Sequence, residues 1–171
     1  MSKAFVRESD SDDLPELPPT PSPLPPGAKN YFTAGGVARI RDELARLTDI
    51  ERPPLVATAA SDIDAKRELQ TLNQRIRYLQ NSLQTAEVVT PPSGPADIVR
   101  FGATVTVRET NGPEIRYRIV GVDETDLDRN WVSWLSPIAR ALLNARPGQR
   151  VPFKAPRGQR ELEIVAIEYE P

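Results

Sequence analysis

The 171-residue chain contains no histidine and no cysteine. The first absence removes imidazole acid–base chemistry and the commonest nitrogen ligand for zinc. The second removes thiol nucleophiles, disulfides and thiolate metal sites. Any metal held by this chain would be a hard cation on carboxylate oxygens. Aromatic residues are sparse, at 6%, and no apolar run approaches the roughly 20 residues of a membrane span. A dominant charge is missing too, with 22 Lys+Arg against 24 Asp+Glu and a formal net charge of −2. That balance argues against an electrostatic wrap around duplex DNA, so sequence-specific DNA binding is not expected, nor is a membrane partner. Met1 to Asp13 holds no apolar core of a signal peptide, and the cytoplasm is the expected location.

Proline, by contrast, is abundant, with 18 residues, seven of them among the first 29. They concentrate between Leu14 and Gly27, after the acidic stretch Glu8 to Asp13. Proline interrupts helix and sheet, and little here offsets the entropy of ordering. Residues 1–29 therefore read as a disordered or polyproline-like tail. Such a tail either docks on a proline-binding module or is simply solvated, and composition favours the second.

Two amphipathic segments follow. Thr33 is placed to cap a helix whose apolar residues Val37, Ile40, Leu44 and Leu47 recur at spacings of three and four. Pro53 and Pro54 predict a kink or local break. The second segment carries Leu69, Leu72, Ile76, Leu79 and Leu83 at the same spacing, with Ser61 as its expected cap. The short stretch between the two predicts an antiparallel hairpin over residues 30–90. Asp62 and Asp64 are the carboxylates at its expected tip. Glu68, Asp49 and Glu51 read as surface charges.

A second unit, residues 96–171, begins after the linker Pro91-Pro92-Ser93-Gly94-Pro95. Thr104 to Arg108 alternates as a half-buried strand, Asn111-Gly112 signals a hairpin turn, and Ile115 to Val122 returns. Trp131 to Leu135 reads as a short strand, with the two tryptophans facing opposite ways, one in the core and one free to act as an exposed anchor. Ser136 and Pro137 open a short helix ending at Leu143. Val151 to Lys154 and Glu161 to Glu168 supply two more strands, with Leu162, Ile164 and Ala166 on one face. One small helix on an antiparallel sheet makes the fold class α+β.

Several of these strings resemble the bacterial transcript-cleavage factors of the GreA/GreB family. They are Phe101-Gly102-Ala103 before Val105 and Val107, Tyr117-Arg118-Ile119-Val120-Gly121 before Asp123-Glu124, Ser136 to Leu143, and Ala166-Ile167-Glu168-Tyr169. Thr33, Gly36, Glu43-Leu44 and Glu51-Arg52-Pro53 follow the family pattern in the first helix. Arg77-Tyr78-Leu79 in the second resembles GreB more than GreA. The resemblance covers residues 30 to 171. It implies a coiled-coil hairpin joined to a C-terminal domain similar to the FKBP fold. It further implies docking of a monomer on RNA polymerase through that domain, with the hairpin in the secondary channel and its tip near the 3′ end of backtracked RNA. The chain would need no cofactor of its own and would be no enzyme. Tip carboxylates, here Asp62 and Asp64, would help hold the polymerase's magnesium while the polymerase cuts its own transcript. Ser136, Pro137, Ile138, Ala139 and Arg140 would belong to the polymerase-contact segment; capping of the short helix explains Ser136 and Pro137 equally well.

The tip departs from the family pattern, which carries Gly-Asp-x-x-Glu-Asn. This chain reads Ser61-Asp62-Ile63-Asp64-Ala65. Between the flanking resemblances the hairpin is about a dozen residues short, which at 1.5 Å per residue, split over two arms, removes roughly 9 Å of reach. Aspartates two apart also point about 200° from each other if both are helical, and acids in a first turn stabilise the helix dipole without further function. Three functions are thus compatible with the sequence: a cleavage-stimulating elongation factor, a non-cleaving ligand of the same channel that competes with cleavage factors, and, from the FKBP-like architecture alone, a peptidyl-prolyl isomerase or chaperone. The last requires an aromatic pocket, and Phe101, Tyr117, Trp131, Trp134, Phe153 and Tyr169 form no evident cluster in sequence.

Overall fold

A computed structural model describes residues 14–109, 112–155 and 158–170. Residues 14–29 contain no helix or strand. The first regular element is β1, Asn30–Phe32, which leads directly into α1, Ala34–Arg46. Thr33 caps α1, its hydroxyl accepting from the Gly36 N–H at 3.0 Å, as the sequence predicts.

The helical path then meets Pro53 and Pro54. Neither has an N–H for the carbonyls one turn back. The chain responds with a widened π-helical turn at Leu47–Glu51, closed by the Arg52 N–H on the Leu47 carbonyl. Both prolines then lie in the first turn of α2, Arg52–Thr58, where missing donors cost nothing. The expected break is thus a widened turn, and the path stays helical.

The return helix α3, Ile63–Thr85, has 23 residues and spans about 34 Å. Its cap is Asp62 and not Ser61. The Asp62 carboxylate accepts from the Asp64 and Ala65 N–H groups at 2.8 and 3.3 Å. A carboxylate reaches both donors and also suits the positive end of the helix. The helices run antiparallel, since Arg75 pairs with Glu43 at 2.9 Å and Arg52 with Asn73 at 2.9 Å. Val37, Ile40, Leu47, Ile76 and Leu79 are buried along the seam, flanked by Leu44, Leu72 and Leu83. Phe32, fully buried, extends this core past the helix ends, where β1 pairs in parallel with β2, Ala86–Val88.

The second unit is a five-stranded sheet of order β5-β4-β3-β7-β6, formed by β3 (Ala103–Glu109), β4 (Glu114–Val120), β5 (Trp131–Ser133), β6 (Arg150–Ala155) and β7 (Gly158–Tyr169). The β3–β4 hairpin forms where predicted, although Thr110 and Asn111 of its turn lie outside the described residues. Two expectations are corrected. The sheet is not wholly antiparallel, because β5 joins the edge parallel to β4 after a loop long enough to bring the chain back. And Ala166 does not share the core face. A bulge opposite Thr106/Val107 inserts an extra residue, so Leu162 and Ile164 are followed inward by Ile167. The short helix α4, Pro137–Leu142, presses the buried Ala139 and Leu142 onto Val105, Val107, Ile119 and Ile164. The protein is therefore a mixed α+β chain with a helical N-terminal region and a curled sheet. Among the described residues no helix is long and apolar enough to cross a membrane.

Candidate functional site

The base of the hairpin is clamped to the sheet by residues of one short turn, Val122–Glu124. Glu124 is only 5% exposed. Its carboxylate accepts from the Thr33 N–H at 2.9 Å, the Thr33 hydroxyl at 2.5 Å and the Gly121 N–H at 3.0 Å, with the Arg39 guanidinium at 3.5 Å. Glycines make the space for it. A Cβ at Gly36 would lie 1.9 Å from the Glu124 carboxylate, and one at Gly121 would lie 2.2 Å from the Tyr31 carbonyl. Asp123, the neighbour, accepts from the Tyr78 and Ser82 hydroxyls on α3. Burial, and then the adjacent Asp123 carboxylate, push the Tyr78 phenol pKa up. Tyr31 completes the joint, its ring 5.7 Å from Phe101 and 5.1 Å from Trp134. The sequence shows residues 123–130 only as an acidic loop. Nothing local marks Glu124 as buried, because its partners outside the turn, Thr33 and Arg39, lie about 90 residues away.

The tip carries the two candidate carboxylates. Asp62 is engaged as the α3 cap, and Asp64 forms an exposed ion pair with Arg67 at 3.3 Å. Both residues are exposed. Ile50, Val56 and Ile63 are exposed on the same distal part of the arm, so that part mixes apolar with charged surface. Among the described residues no group of three or more carboxylates is arranged to hold a metal. Two carboxylates alone do not complete the coordination sphere of a hard cation, so Asp62 and Asp64 could only add to one completed by another molecule.

Around α4 the candidate contact residues divide. The Ser136 hydroxyl accepts from the Ala139 N–H at 3.2 Å and caps the helix. Ala139 is fully buried and belongs to the core, so no partner can touch its side chain. Ile138 is half-buried against the same core, and Pro137 and Arg140 are exposed. The tryptophans are both half-buried, so neither is a bare anchor. Trp134 follows β5 and packs on Tyr31. The Trp131 ring is overlaid by the guanidinium groups of Arg39, Arg118 and Arg129 at 4.7, 4.9 and 5.2 Å.

A two-helix arm, clamped at its base by a buried carboxylate and capped at its far end, defines a protein that holds an exposed helical tip away from a curled sheet. Comparison with known proteins supplies the family. Residues 94–169 match the family described as transcription elongation factor, GreA/GreB, C-terminal. The transcription elongation factor GreB of Neisseria meningitidis serogroup B is 40% identical over 154 residues, covering 82% of this chain and 94% of that protein. GreA of Alkalilimnicola ehrlichii is 40% identical over 156 residues, covering 83% and 99%. A solved GreA/GreB structure from Nitrosomonas europaea is 23% identical, with a TM-score of 0.41, over 82% of this chain and 100% of that one. The chain belongs to the GreA/GreB family of transcription elongation factors.

Proposed function

We propose that this protein docks on RNA polymerase through its C-terminal sheet unit and places the helical arm in the secondary channel, where the arm stops short of the catalytic magnesium. It acts in the cytoplasm, as a monomer, with no cofactor of its own, and modulates elongation by occupying the channel rather than by strongly stimulating transcript cleavage. The observation that carries this reading is the tip: Asp62 caps α3, Asp64 pairs with Arg67, and among the described residues no third carboxylate joins them in a group able to hold a metal. Alignment length supports it. With GreB of Neisseria meningitidis, 82% of 171 residues is about 140, against 154 positions aligned, so about fourteen positions of that relative have no counterpart here. Placed in the arm, that deficit shortens each helix by about seven residues, or roughly 10 Å. Metal–oxygen bonds tolerate tenths of an ångström, so a shortfall of that size removes the carboxylates from the metal.

The antiparallel seam supports the coiled-coil description of the arm, and the single helix on a curled sheet supports the FKBP-like description of the body. An isomerase gains nothing from this arrangement, because Phe101 and Trp134 both pack on Tyr31 at the joint. The test is competition on one polymerase preparation. Increasing amounts of this protein should displace a full-armed GreB from stalled complexes and lower the cleavage GreB produces. Failure to displace GreB at saturating concentration would reject channel occupancy.

A further inference from the structure

Gln70, Gln74 and Arg77 stand at i, i+4 and i+7 on α3 and form one ridge along it. The Gln70 side-chain amide donates to the Leu14 and Pro15 carbonyls at 3.2 and 3.3 Å. The Gln74 amide donates to the Pro18 carbonyl, and the Arg77 guanidinium lies 3.7 Å from the Glu16 carboxylate. The chain crossing this ridge has sides. Leu14, Leu17 and Leu24 are half-buried, whereas Pro15, Pro18, Pro19, Pro21 and Pro23 are exposed. Leu14 and Leu17 are three apart, the repeat at which an extended polyproline-type chain returns to one side. Farther along, Pro19, Leu24 and Pro25 face Arg77, Tyr78 and Asn81 across a groove of about 610 Å³.

Chemistry explains the match. Proline offers a carbonyl acceptor and no competing N–H, so a row of side-chain amide donors suits it. Such a segment is already stiff and loses little entropy on docking. We propose that this ridge of α3 is a docking surface for an extended proline-rich segment, that residues 14–25 of the chain itself are its occupant, and that the segment leaves the ridge when the arm enters the polymerase. The last step rests on the channel reading above; the docking does not. The contacts are few and mostly exposed, so the docked form outweighs the open form by a modest ratio, about 3- to 30-fold, and apparent polymerase affinity is reduced by that factor.

The test uses three proteins: the full chain, a chain lacking residues 1–25, and the full chain with Gln70→Ala and Gln74→Ala. A synthetic peptide of residues 14–25 is the probe. Added to the truncated chain, it should shift the Gln70 and Gln74 side-chain amide resonances toward their positions in the full chain, and in the double variant the backbone amide resonances of residues 14–25 should move to those of the free peptide. The truncated chain and the double variant should both bind polymerase about 3- to 30-fold more tightly than the full chain. Identical Gln70 and Gln74 resonances in full and truncated chains, with no response to peptide, would overturn the docking whatever polymerase does. Docking present with equal polymerase affinities would overturn the release. If none of the three binds polymerase, the channel reading fails and the release fails with it, while the resonances still decide the docking.

Discussion

Replacing Glu124 with alanine should loosen the arm from the body. The substitution strands two buried N–H donors, of Thr33 and Gly121, that now bond the carboxylate at 2.9 and 3.0 Å. A buried donor left unpaired costs about 1–3 kcal/mol, so the loss should be about 2–6 kcal/mol, and lower where water enters the space. Gly36 supplies a sharper version of the test. A Cβ there would sit 1.9 Å from the Glu124 carboxylate, so Gly36→Ala alone should also be destabilising. With Glu124 already alanine that clash is gone, and alanine is preferred to glycine in a helix by about 0.5–1 kcal/mol. The second substitution should then be neutral or slightly stabilising. The assay is urea unfolding followed by tryptophan fluorescence, since Trp131 and Trp134 lie beside the joint, on wild type, both single variants and the double. Additive effects of the two substitutions, or a Glu124→Ala chain within about 0.5 kcal/mol of wild type, would refute the clamp.

Other consequences are as direct. Leu79→Ala, at a fully buried seam position, should cost about 2–5 kcal/mol, and Leu72→Ala, half-buried, clearly less; equal losses in thermal unfolding of the arm would reject this seam. Pro137→Ala combined with Arg140→Glu should weaken polymerase binding by about tenfold or more while leaving the domain folded, because both side chains are exposed; unchanged binding would place the docking surface elsewhere. The Tyr78 phenol has a raised pKa in the folded protein. The folded state therefore holds that proton more tightly, so stability is complete below about pH 10 and falls as pH rises through the folded value. Tyr78→Phe should reduce that alkaline loss, and an unchanged pH profile would reject the contribution of Tyr78. Tyr169, raised by burial as well, should supply part of what remains.

What the sequence reveals and what it hides divide by range. The Thr33 and Ser136 caps, the apolar seam and the β3–β4 hairpin depend on residues within a few positions of one another, and all are legible. So is the family, through short strings in order. The Glu124 clamp joins residues about 90 positions apart, and an acidic loop in sequence does not announce a buried carboxylate. The parallel placement of β5 and the bulge that turns Ile167 inward are decided by neighbouring strands, which periodicity within one strand does not contain. At the tip, Ser61 and Asp62 are both good caps by composition, and only the backbone path selects Asp62. For the residues around α4, alternation and capping mark the segment, yet which side chains remain accessible depends on how α4 meets the sheet, and Ala139 lies against it.

If the arm occupies the channel without completing the metal site, transcript cleavage on a backtracked complex should barely respond to the tip carboxylates. Magnesium is held fixed, polymerase is saturated with factor, and cleavage is timed for wild type, for the Asp62→Ala/Asp64→Ala double variant and for polymerase alone. On this reading wild type and variant give the same small acceleration over polymerase alone. Strong acceleration by wild type that the double variant loses would contradict it and make Asp62 and Asp64 the working tip.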